Sequence, residues 1–462
     1  MRRNSDHATS RPVSRRRLLR AAYGAAAIAL LGACAPAPTP VPTQAPAPTQ
    51  AATKAPAPAA APPTTKEAIT LSWLGATVFE RPHQMAGEAF EQETGIKVRF
   101  LFLPYGEMVN KQQLAITAKS ADYDLMVAEA LLVPGYIKSG FFTPIDDFTK
   151  TASLGDAALD DVFPAALDVF KAEGKLYGIP YQTSTQLLYY RTDLFESAGL
   201  KPPKTLQEMS EQARKLKQGD VFGYATPTAP GIFAINMYSG FLWSFGGDFF
   251  DAKWQPIFNG TAGVQALEYF VDIVRSAGPP GSDIWHNGQV AEAMQKGLVA
   301  MSQNWAPNIA SVMNDPKLST VAGKVGFATV PPGPAGRGVR LVAWSDMIVA
   351  GTKHREAAYR WLRYAGSAEY YRKFGAPTGL IFARKSVGAD AALAKSYPYF
   401  PPVAEMLQSA RLVPVIPETN EFTTVIGDQV NAAIVGKTKP KDALDAAAAS
   451  VRDILKRGGY YP

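Results

Sequence analysis

Three tryptophans occupy positions in this sequence that suit the binding of a small polar molecule. Trp73 ends the first predicted strand, Trp305 follows a predicted strand at 299–302, and Trp344 interrupts an apolar run at 341–350. An indole ring at a strand end buries a large flat area at little entropic cost and can stack on the apolar face of a sugar ring. The same rings would also suit a hydrophobic core, so the residues alone leave both roles open.

Motifs that mark enzymes are scarce in the sequence. It contains no HExxH, no GxxxxGK[ST] and no GxGxxG after a strand. The segment closest to a nucleophile elbow, 242–246 around Ser244, lacks the first glycine that the strained turn requires. A pair of carboxylates for glycoside hydrolysis stays possible, because 40 acidic residues offer many combinations. An exported enzyme acting on polysaccharide is therefore the alternative to a binding protein.

Most of the net charge belongs to the amino-terminal segment. The 462-residue chain carries a formal charge of +7, and its first 33 residues hold seven arginines and one acid. The remaining residues carry 40 basic and 39 acidic side chains. A nearly neutral body has no electrostatic footprint for a polyanion, so we predict no nucleic-acid partner. One cysteine and four scattered histidines likewise indicate no metal site, and we expect no cofactor.

Residues 1–34 have the pattern of a signal peptide that ends in a lipidation site. A basic segment at 14–19 precedes an apolar run at 21–33, whose helix of about 20 Å would be too short for a bilayer core. The run ends at Cys34 in a sequence that resembles a bacterial lipobox, and the paired arginines resemble a twin-arginine signal. We expect export by the twin-arginine or the general route. Lipidation of Cys34 would anchor the exported protein to the outer face of the cell membrane, and a periplasmic location is the alternative.

Residues 35–66 are predicted to form a disordered tether. Positions 35–65 include ten prolines and eleven alanines, with one lysine and no acid. Such a composition cannot bury enough apolar surface to offset the entropy lost on ordering. The sequence therefore predicts a globular body that is held at a distance from its anchor.

The rest of the chain alternates between strands and helices. Apolar alternation predicts a strand at 69–73, and apolar runs predict strands at 96–103 and 123–127. Helices are expected between these strands, at 82–94 and 106–120. Two successive strand–helix–strand units favour an α/β fold with a parallel, doubly wound sheet.

Further helices are predicted in the second half of the chain. Thr205 and Glu208 form a capping-box pattern at the start of an amphipathic helix. Apolar periodicity predicts two more helices at 356–364 and 441–455, and the glycine- and proline-rich segment 331–338 is expected to be a loop.

Five groups of motifs, in order and spacing, resemble the extracellular solute-binding proteins of family 1. These are receptor subunits of ATP-driven importers, and maltose-binding protein is a relative. The resemblance covers roughly residues 67–457. The motifs that carry it lie at 139–147, 174–205, 246–248, 295–305 and 436–444.

The resemblance implies a periplasmic-binding-protein-like fold of type II, with two doubly wound lobes joined by a hinge that the chain crosses three times. The amino-terminal lobe would comprise 67–181 and 299–344, and the carboxy-terminal lobe 182–298 and 345–462. The crossings would fall near 178–184, 297–301 and 342–347. A solute held in the cleft would draw the lobes together, and transmembrane permease subunits would recognise the closed form.

The family also implies which residues contact the solute, and no catalytic residue is expected. At the end of the third predicted strand, Ala128 stands where a tryptophan is common, which leaves Glu129 as the polar candidate. A mono- or oligosaccharide is the expected solute, with a sugar phosphate or another polar solute as alternatives. The candidate ligand-binding residues are Trp73, Glu80, Glu129, Gln182, Ser184, Asn236, Tyr238, Trp305, Trp344 and Asp346.

Overall fold

The computed structural model describes residues 69–306 and 309–461. The predicted signal peptide, Cys34 and the whole of the predicted tether lie outside the described residues. Among the described residues, none of the helices combines the length and the hydrophobicity that a membrane-spanning segment requires.

The first sheet is mixed and has the strand order β2-β1-β3-β11-β6. Strands β1, β2 and β3 run parallel, whereas β11 pairs antiparallel with both β3 and β6. The parallel core therefore matches the predicted strand–helix–strand units, and two later strands extend it. The strands are β1 (Thr70–Ala76), β2 (Lys97–Leu103), β3 (Leu125–Glu129), β6 (Gln182–Ser184) and β11 (Val342–Ile348).

The second sheet has the order β10-β7-β9-β8. Strand β7 is antiparallel to both β10 and β9, and β8 is parallel to β9. A short hairpin of β4 (Lys171–Ala172) and β5 (Lys175–Leu176) stands apart from both sheets. The second sheet consists of β7 (Gln186–Arg191), β8 (Phe222–Ala225), β9 (Val299–Trp305) and β10 (Val325–Ala328).

Helices cover both sheets. The helices that precede the second sheet are α1 (Glu80–Thr94), α2 (Tyr105–Ala118), α3 (Val133–Lys138), α4 (Asp146–Thr149) and α5 (Pro164–Asp168). Those from β7 to β10 are α6 (Thr192–Ser197), α7 (Leu206–Leu216), α8 (Ile232–Ser244), α9 (Thr261–Ala277), α10 (Asn287–Gln295) and α11 (Ile309–Met313). After β11 follow α12 (Arg355–Ala365), α13 (Ala368–Tyr370), α14 (Ala376–Thr378), α15 (Lys385–Gly388), α16 (Ala391–Ser396), α17 (Phe400–Ser409), α18 (Thr419–Ile434) and α19 (Pro440–Arg457).

Local sequence signals explain several helix ends. Gly95 ends α1 with a φ of 72°, a left-handed conformation that glycine adopts without strain. At the start of α7, the Thr205 hydroxyl accepts a hydrogen bond from the Glu208 N–H at 3.1 Å, as the capping-box pattern predicts. The Glu208 carboxylate, however, reaches back to the N–H of Lys204 at 2.7 Å instead of that of Thr205.

Two hydrophobic clusters divide the core. One contains the first sheet, α1, α12 and α17, and the other contains α7, α8, α9, α18 and α19. The second sheet lies between them, because Leu187 and Tyr189 face the first cluster whereas Leu188 faces the second. We call the first sheet with its cluster lobe 1, and the second sheet with the other cluster lobe 2.

This packing corrects the predicted segment boundaries. Residues 299–305 were expected in the first lobe, but as β9 they pair with β7 and β8 in the second sheet. Residues 345–410 were expected in the second lobe, but the buried side chains of this segment pack in the first cluster. The physical reason is that β11 adds to the edge of β3, which carries the helices after it to lobe 1.

Three segments connect the lobes. Thr185 alone separates β6 of the first sheet from β7 of the second. Residues 329–341 lead from β10 back to β11, and residues 410–418 lead from α17 to α18. The predicted second crossing near 297–301 is therefore wrong, because that segment stays within lobe 2.

Candidate functional site

The carboxyl ends of the three parallel strands meet at one edge of lobe 1, where α/β sheets commonly bind ligands. Phe79 follows β1, Tyr105 follows β2, and Glu129 is the last residue of β3. The Tyr105 hydroxyl donates a hydrogen bond of 2.5 Å to Oε2 of Glu129. The Tyr105 side chain is nevertheless 45% exposed, so its ring can still contact a ligand.

A row of paired residues continues this surface across the sheet. Trp344 of β11 pairs with Glu129 on one side and with Gln182 on the other, which places all three side chains on the same face. The half-buried Trp344 ring packs edge-on against Phe79 at 5.3 Å and Tyr105 at 5.8 Å between ring centroids. We call Phe79, Tyr105, Glu129, Gln182, Arg340 and Trp344 the lobe 1 wall.

Arg340 completes the lobe 1 wall just before β11. Its backbone forms a bridge with that of Arg411, and the residue is 1% exposed. Burial lowers the pKa of the guanidinium to about 10, although the nearby charge of Glu129 opposes this shift. Burial also raises the pKa of the Glu129 carboxyl, against the effects of the Tyr105 hydroxyl and of Arg340.

Lobe 2 contributes an amide-rich network next to this wall. The Gln186 side chain donates to the carbonyl of Asn236 at 2.8 Å and accepts from the side chain of Gln303 at 3.0 Å. Trp305, 8% exposed, is paired with Gln186 at the end of β9. Because Gln186 lies two residues beyond Ser184 of β6, this network borders the junction of the two sheets.

Several polar atoms near this junction are buried and find no hydrogen-bond partner among the described residues. Leaving such an atom unpaired costs about 1–3 kcal/mol, so a cluster of them needs an explanation. A polar ligand held at the junction would supply the missing partners. The atoms are Oε1 of Gln182, Oγ1 of Thr185, Oδ1 of Asn236, and Nε and Nη1 of Arg340.

The structure brings together six of the ten predicted site residues around the junction: Glu129, Gln182, Ser184, Asn236, Trp305 and Trp344. Ser184 pairs with Val342 at the end of β6 and is buried, directly before the first connection. Glu80, in contrast, is an exposed residue at the start of α1, where its carboxylate accepts from Gln84 at 3.2 Å.

Two predicted contacts, Trp73 and Asp346, belong instead to the core of lobe 1, which corrects the prediction. Both side chains are fully buried. The indole N–H of Trp73 donates to Oδ1 of Asp346 at 2.8 Å, and that of Trp361 donates to Oδ2, also at 2.8 Å. With both carboxylate oxygens occupied by indoles, Asp346 has a structural role. Desolvation raises its pKa to about 7.

Tyr238 is a further correction. Its ring is fully buried in the second cluster, and its hydroxyl donates to the carbonyls of Phe258 at 3.3 Å and Gly263 at 3.1 Å. The physical reason is that α8 is buried along most of its length, so its side chains include core residues as well as residues near the junction. Tyr238 therefore braces α8 against the segment before α9 and presents no surface to the junction.

The sequence argument missed Phe79, Tyr105 and Arg340. For the first two a signal was present, because both lie within three residues of the end of a parallel strand and the carboxyl ends of such strands share one edge. For Arg340 no comparable signal exists, since it follows a glycine-rich loop and becomes part of the site only through the pairing of β11.

A groove of about 850 Å³ lies elsewhere in lobe 1. It is bordered by Ile69 and Ile96 at the amino ends of β1 and β2, and by charged residues of α12 such as Arg355 and Arg360. This groove is at the opposite strand ends from Glu129, and among its lining residues one buried polar atom, Nε of Arg363, has no described partner, against the cluster of five at the junction. The junction is therefore the better candidate for the solute site.

Comparison with known proteins decides the family. The model of the family described as "Bacterial extracellular solute-binding protein" matches residues 79–372, more than half of the chain. The chain belongs to this family. The matched segment includes the lobe 1 wall and the amide network of lobe 2.

Individual relatives agree with this assignment. A "Probable amino-acid ABC transporter periplasmic-binding protein" of Sinorhizobium fredii is 28% identical, over 80% of this chain and 85% of that protein. The "Mannitol-binding protein" of Pseudomonas aeruginosa is 26% identical, over 85% of this chain and 94% of that protein. A solute-binding protein of Agrobacterium radiobacter K84, solved in complex with ribitol, has a TM-score of 0.73 and 27% identity, covering 84% of this chain and 98% of that one.

These findings confirm three predictions from the sequence. The predicted family is correct. The α/β fold of the type II periplasmic-binding kind is confirmed by the similarity to the ribitol-bound structure. The predicted role, capture of a solute outside the cytoplasm, is confirmed by the family, and it implies an exported or periplasmic location.

Proposed function

We propose that this solute-binding protein captures a neutral sugar or polyol at the junction of its two lobes and delivers it unchanged to an ABC-type importer. The main support is the cluster of unpartnered polar atoms beside Trp344 and Trp305. Hydroxyl groups both donate and accept, so they can satisfy carboxylate, amide and guanidinium groups together. Indole rings can cover the apolar face of the same molecule.

The names of the relatives support the same solute class. One relative is a mannitol-binding protein, and one similar structure holds ribitol. Another relative is described as an amino-acid-binding protein, so amino acids are the competing class that an experiment must include.

Calorimetric titration of the full chain tests this proposal. We expect D-mannitol, ribitol or maltose to give saturable heat at a stoichiometry of one, and we expect the solute to be recovered unchanged. The same samples are assayed for new reducing ends with an oligosaccharide. Heat only with an amino acid, or turnover of the oligosaccharide, would contradict the proposal.

We also propose that Cys34 carries the lipid that anchors the protein outside the cytoplasm. The support is the lipobox-like sequence at 31–34 followed by the proline-rich segment 35–66. Labelled palmitate should be incorporated into the wild-type protein, and the Cys34→Ala variant should lose both the label and the association with membranes. Equal labelling of the two proteins would contradict the anchor.

A further inference from the structure

A second cavity lies in lobe 2 and shares no residue with the junction. Its volume is about 490 Å³, which is within the range of sites for small molecules. Its walls are one face of α7, the side of α9 that packs against α7, Phe245 at the end of α8, and residues 332–334 of the connection from β10 to β11. None of its lining residues belongs to the lobe 1 wall or to the amide network around Gln186.

The wall formed by the connection is held in place by backbone contacts. The N–H of Leu206 donates to the carbonyl of Pro332 at 3.0 Å, and the N–H of Ala335 donates to that of Ser244, also at 3.0 Å. A Cβ atom at Gly333 would lie 2.6 Å from the Ser244 carbonyl oxygen, so the connection packs closely on the end of α8. A ligand would therefore enter the cavity without first having to order this segment.

One buried hydroxyl in the cavity has no hydrogen-bond partner. Ser210 of α7 lines the cavity and is 5% exposed, and its Oγ is unpartnered among the described residues. A serine in a helix commonly donates to the carbonyl four residues earlier, as Ser197 does to Asp193 at 2.8 Å. For Ser210 that carbonyl belongs to Leu206, and the Tyr269 hydroxyl donates to it at 2.8 Å. Since the helix directs the N–H of Ser210 to the same oxygen, both of its lone pairs are used.

The rest of the cavity surface is largely apolar and aromatic. The rings of Phe245 and Tyr269 have centroids 5.8 Å apart and are tilted by 46°. Leu206, Pro332 and Pro334 add aliphatic surface beside them. Such walls suit a flat apolar ring, which buries a large area at little entropic cost. The hydroxyl of Ser210 requires that this ring carry one hydrogen-bonding group.

Charged residues at the cavity disfavour an anion. The Arg214 guanidinium already donates to the Asp272 carboxylate, and the Glu211 carboxylate accepts from Gln207 at 2.9 Å. Two carboxylates and one guanidinium give these lining residues a net charge of −1. An aromatic carboxylate would meet this negative charge and an arginine that is already paired, so a neutral ligand fits better.

We propose that this cavity is a second binding site, which takes a small neutral phenol. The phenol hydroxyl forms the missing hydrogen bond with Oγ of Ser210, and its ring packs against Phe245, Tyr269 and the prolines of the connection. This inference goes beyond the proposed function and does not depend on it, because no residue of the junction takes part.

A ligand-detected NMR titration of the full chain with p-cresol tests the inference. We expect saturable binding of one molecule per chain, and about fivefold weaker binding by Ser210→Ala, which loses one hydrogen bond. Toluene, which has no hydroxyl, should bind the wild type at least fivefold more weakly than p-cresol does. The affinity of toluene should be the same for the wild type and Ser210→Ala. Benzoate, the anionic probe, should not bind.

Three further variants locate the site. Ser210→Met places a flexible side chain in the cavity and should abolish p-cresol binding. Ser197→Ala removes an exposed helical hydroxyl that already has its acceptor, and Trp344→Ala alters only the junction, so both should bind p-cresol as the wild type does. The melting temperature of free Ser210→Ala should equal or exceed that of the wild type, because the hydroxyl that is removed has no partner.

Several results would overturn the second site. Absence of saturable p-cresol binding to the wild type would do so, as would equal p-cresol affinities of the wild type and Ser210→Ala. Equal affinities of the wild type for p-cresol and toluene would show that the hydroxyl is not recognised. Weaker p-cresol binding by Trp344→Ala would place the phenol at the junction instead. None of these results bears on the capture of a sugar or polyol, so the proposed function is tested separately.

Discussion

Two carboxylates on neighbouring strands of lobe 1 have opposite surroundings. Asp346 on β11 accepts an indole N–H on each oxygen, and no part of its side chain is exposed. Glu129 on β3, next to β11, accepts from the Tyr105 hydroxyl on one oxygen, and no described donor is bonded to the other. The sequence suggested the same role for both residues. The comparison shows that hydrogen-bond saturation separates a structural acid from one that is available to a solute.

The largest expected contrast is in stability. Asp346→Ala leaves the indole N–H groups of Trp73 and Trp361 without acceptors in the core, so we expect a loss of about 4 kcal/mol in the free energy of unfolding. Glu129→Gln should change it by less than about 1 kcal/mol, because its carboxyl is not saturated in the free protein. Urea unfolding monitored by circular dichroism measures both. Equal losses would remove the distinction between the two acids.

The pH dependence of stability sharpens the description of the saturated cluster. His83 is buried there, with its ring 5.0 Å from that of Trp73, and Tyr370 and Tyr181 are its other polar neighbours. Burial lowers the pKa of His83 to about 3, so stability rises with pH from about 3 to the unfolded value of 6.5. The raised pKa of Asp346, about 7, has the opposite sign, and stability falls as pH rises from 3.8 to 7.

Between pH 4.5 and 6.5 the contribution of His83 to stability rises with pH, whereas that of Asp346 falls. His83→Gln removes the contribution that rises with pH. The free energy of unfolding of this variant should therefore be roughly 3 kcal/mol lower at pH 6.5 than at pH 4.5. Exposed His354 supplies the control, since His354→Gln should follow the wild-type profile. Urea unfolding at intervals of half a pH unit measures the profile, and a variant profile parallel to that of the wild type would refute this account.

A pair of tryptophans extends the comparison to affinity. Trp73→Phe loses the N–H that Asp346 accepts, which should lower stability by about 2 kcal/mol and leave solute affinity unchanged. Trp344→Ala removes the half-buried ring at the junction and should weaken binding by about tenfold or more, with a smaller effect on melting. Calorimetry and thermal melting of both variants give the two readouts. An exchange of these effects would show that Trp73, not Trp344, contacts the solute.

The smallest expected effect is the pH dependence of binding. Protonation removes the acceptor that Glu129 offers, and because burial raises its pKa, affinity should fall as the pH is lowered from neutral. In the Glu129→Gln variant this dependence should be absent. Titrations at pH 5 and 7.5 measure the difference, and an equal pH dependence in both proteins would exclude Glu129 as its source.

Local pattern predicted the elements well and the site only partly. The strand and helix pattern from β1 to β3 follows from apolar periodicity and from the glycine after α1, which are both short-range signals. The roles of Trp73 and Asp346 depend on a contact between residues 273 positions apart, which no local pattern reveals. Arg340 likewise becomes part of the site only when β11 joins the first sheet between β3 and β6.

A crystal structure of the full chain with D-mannitol, ribitol or maltose, whichever gives the strongest titration heat, is the most direct test of where the solute binds. We predict electron density for an intact solute within hydrogen-bond distance of Glu129, with Trp344 against its apolar face. Density at another place, such as the groove beside Ile69 and Arg360, with no solute contact to Glu129 or Trp344, would contradict the account.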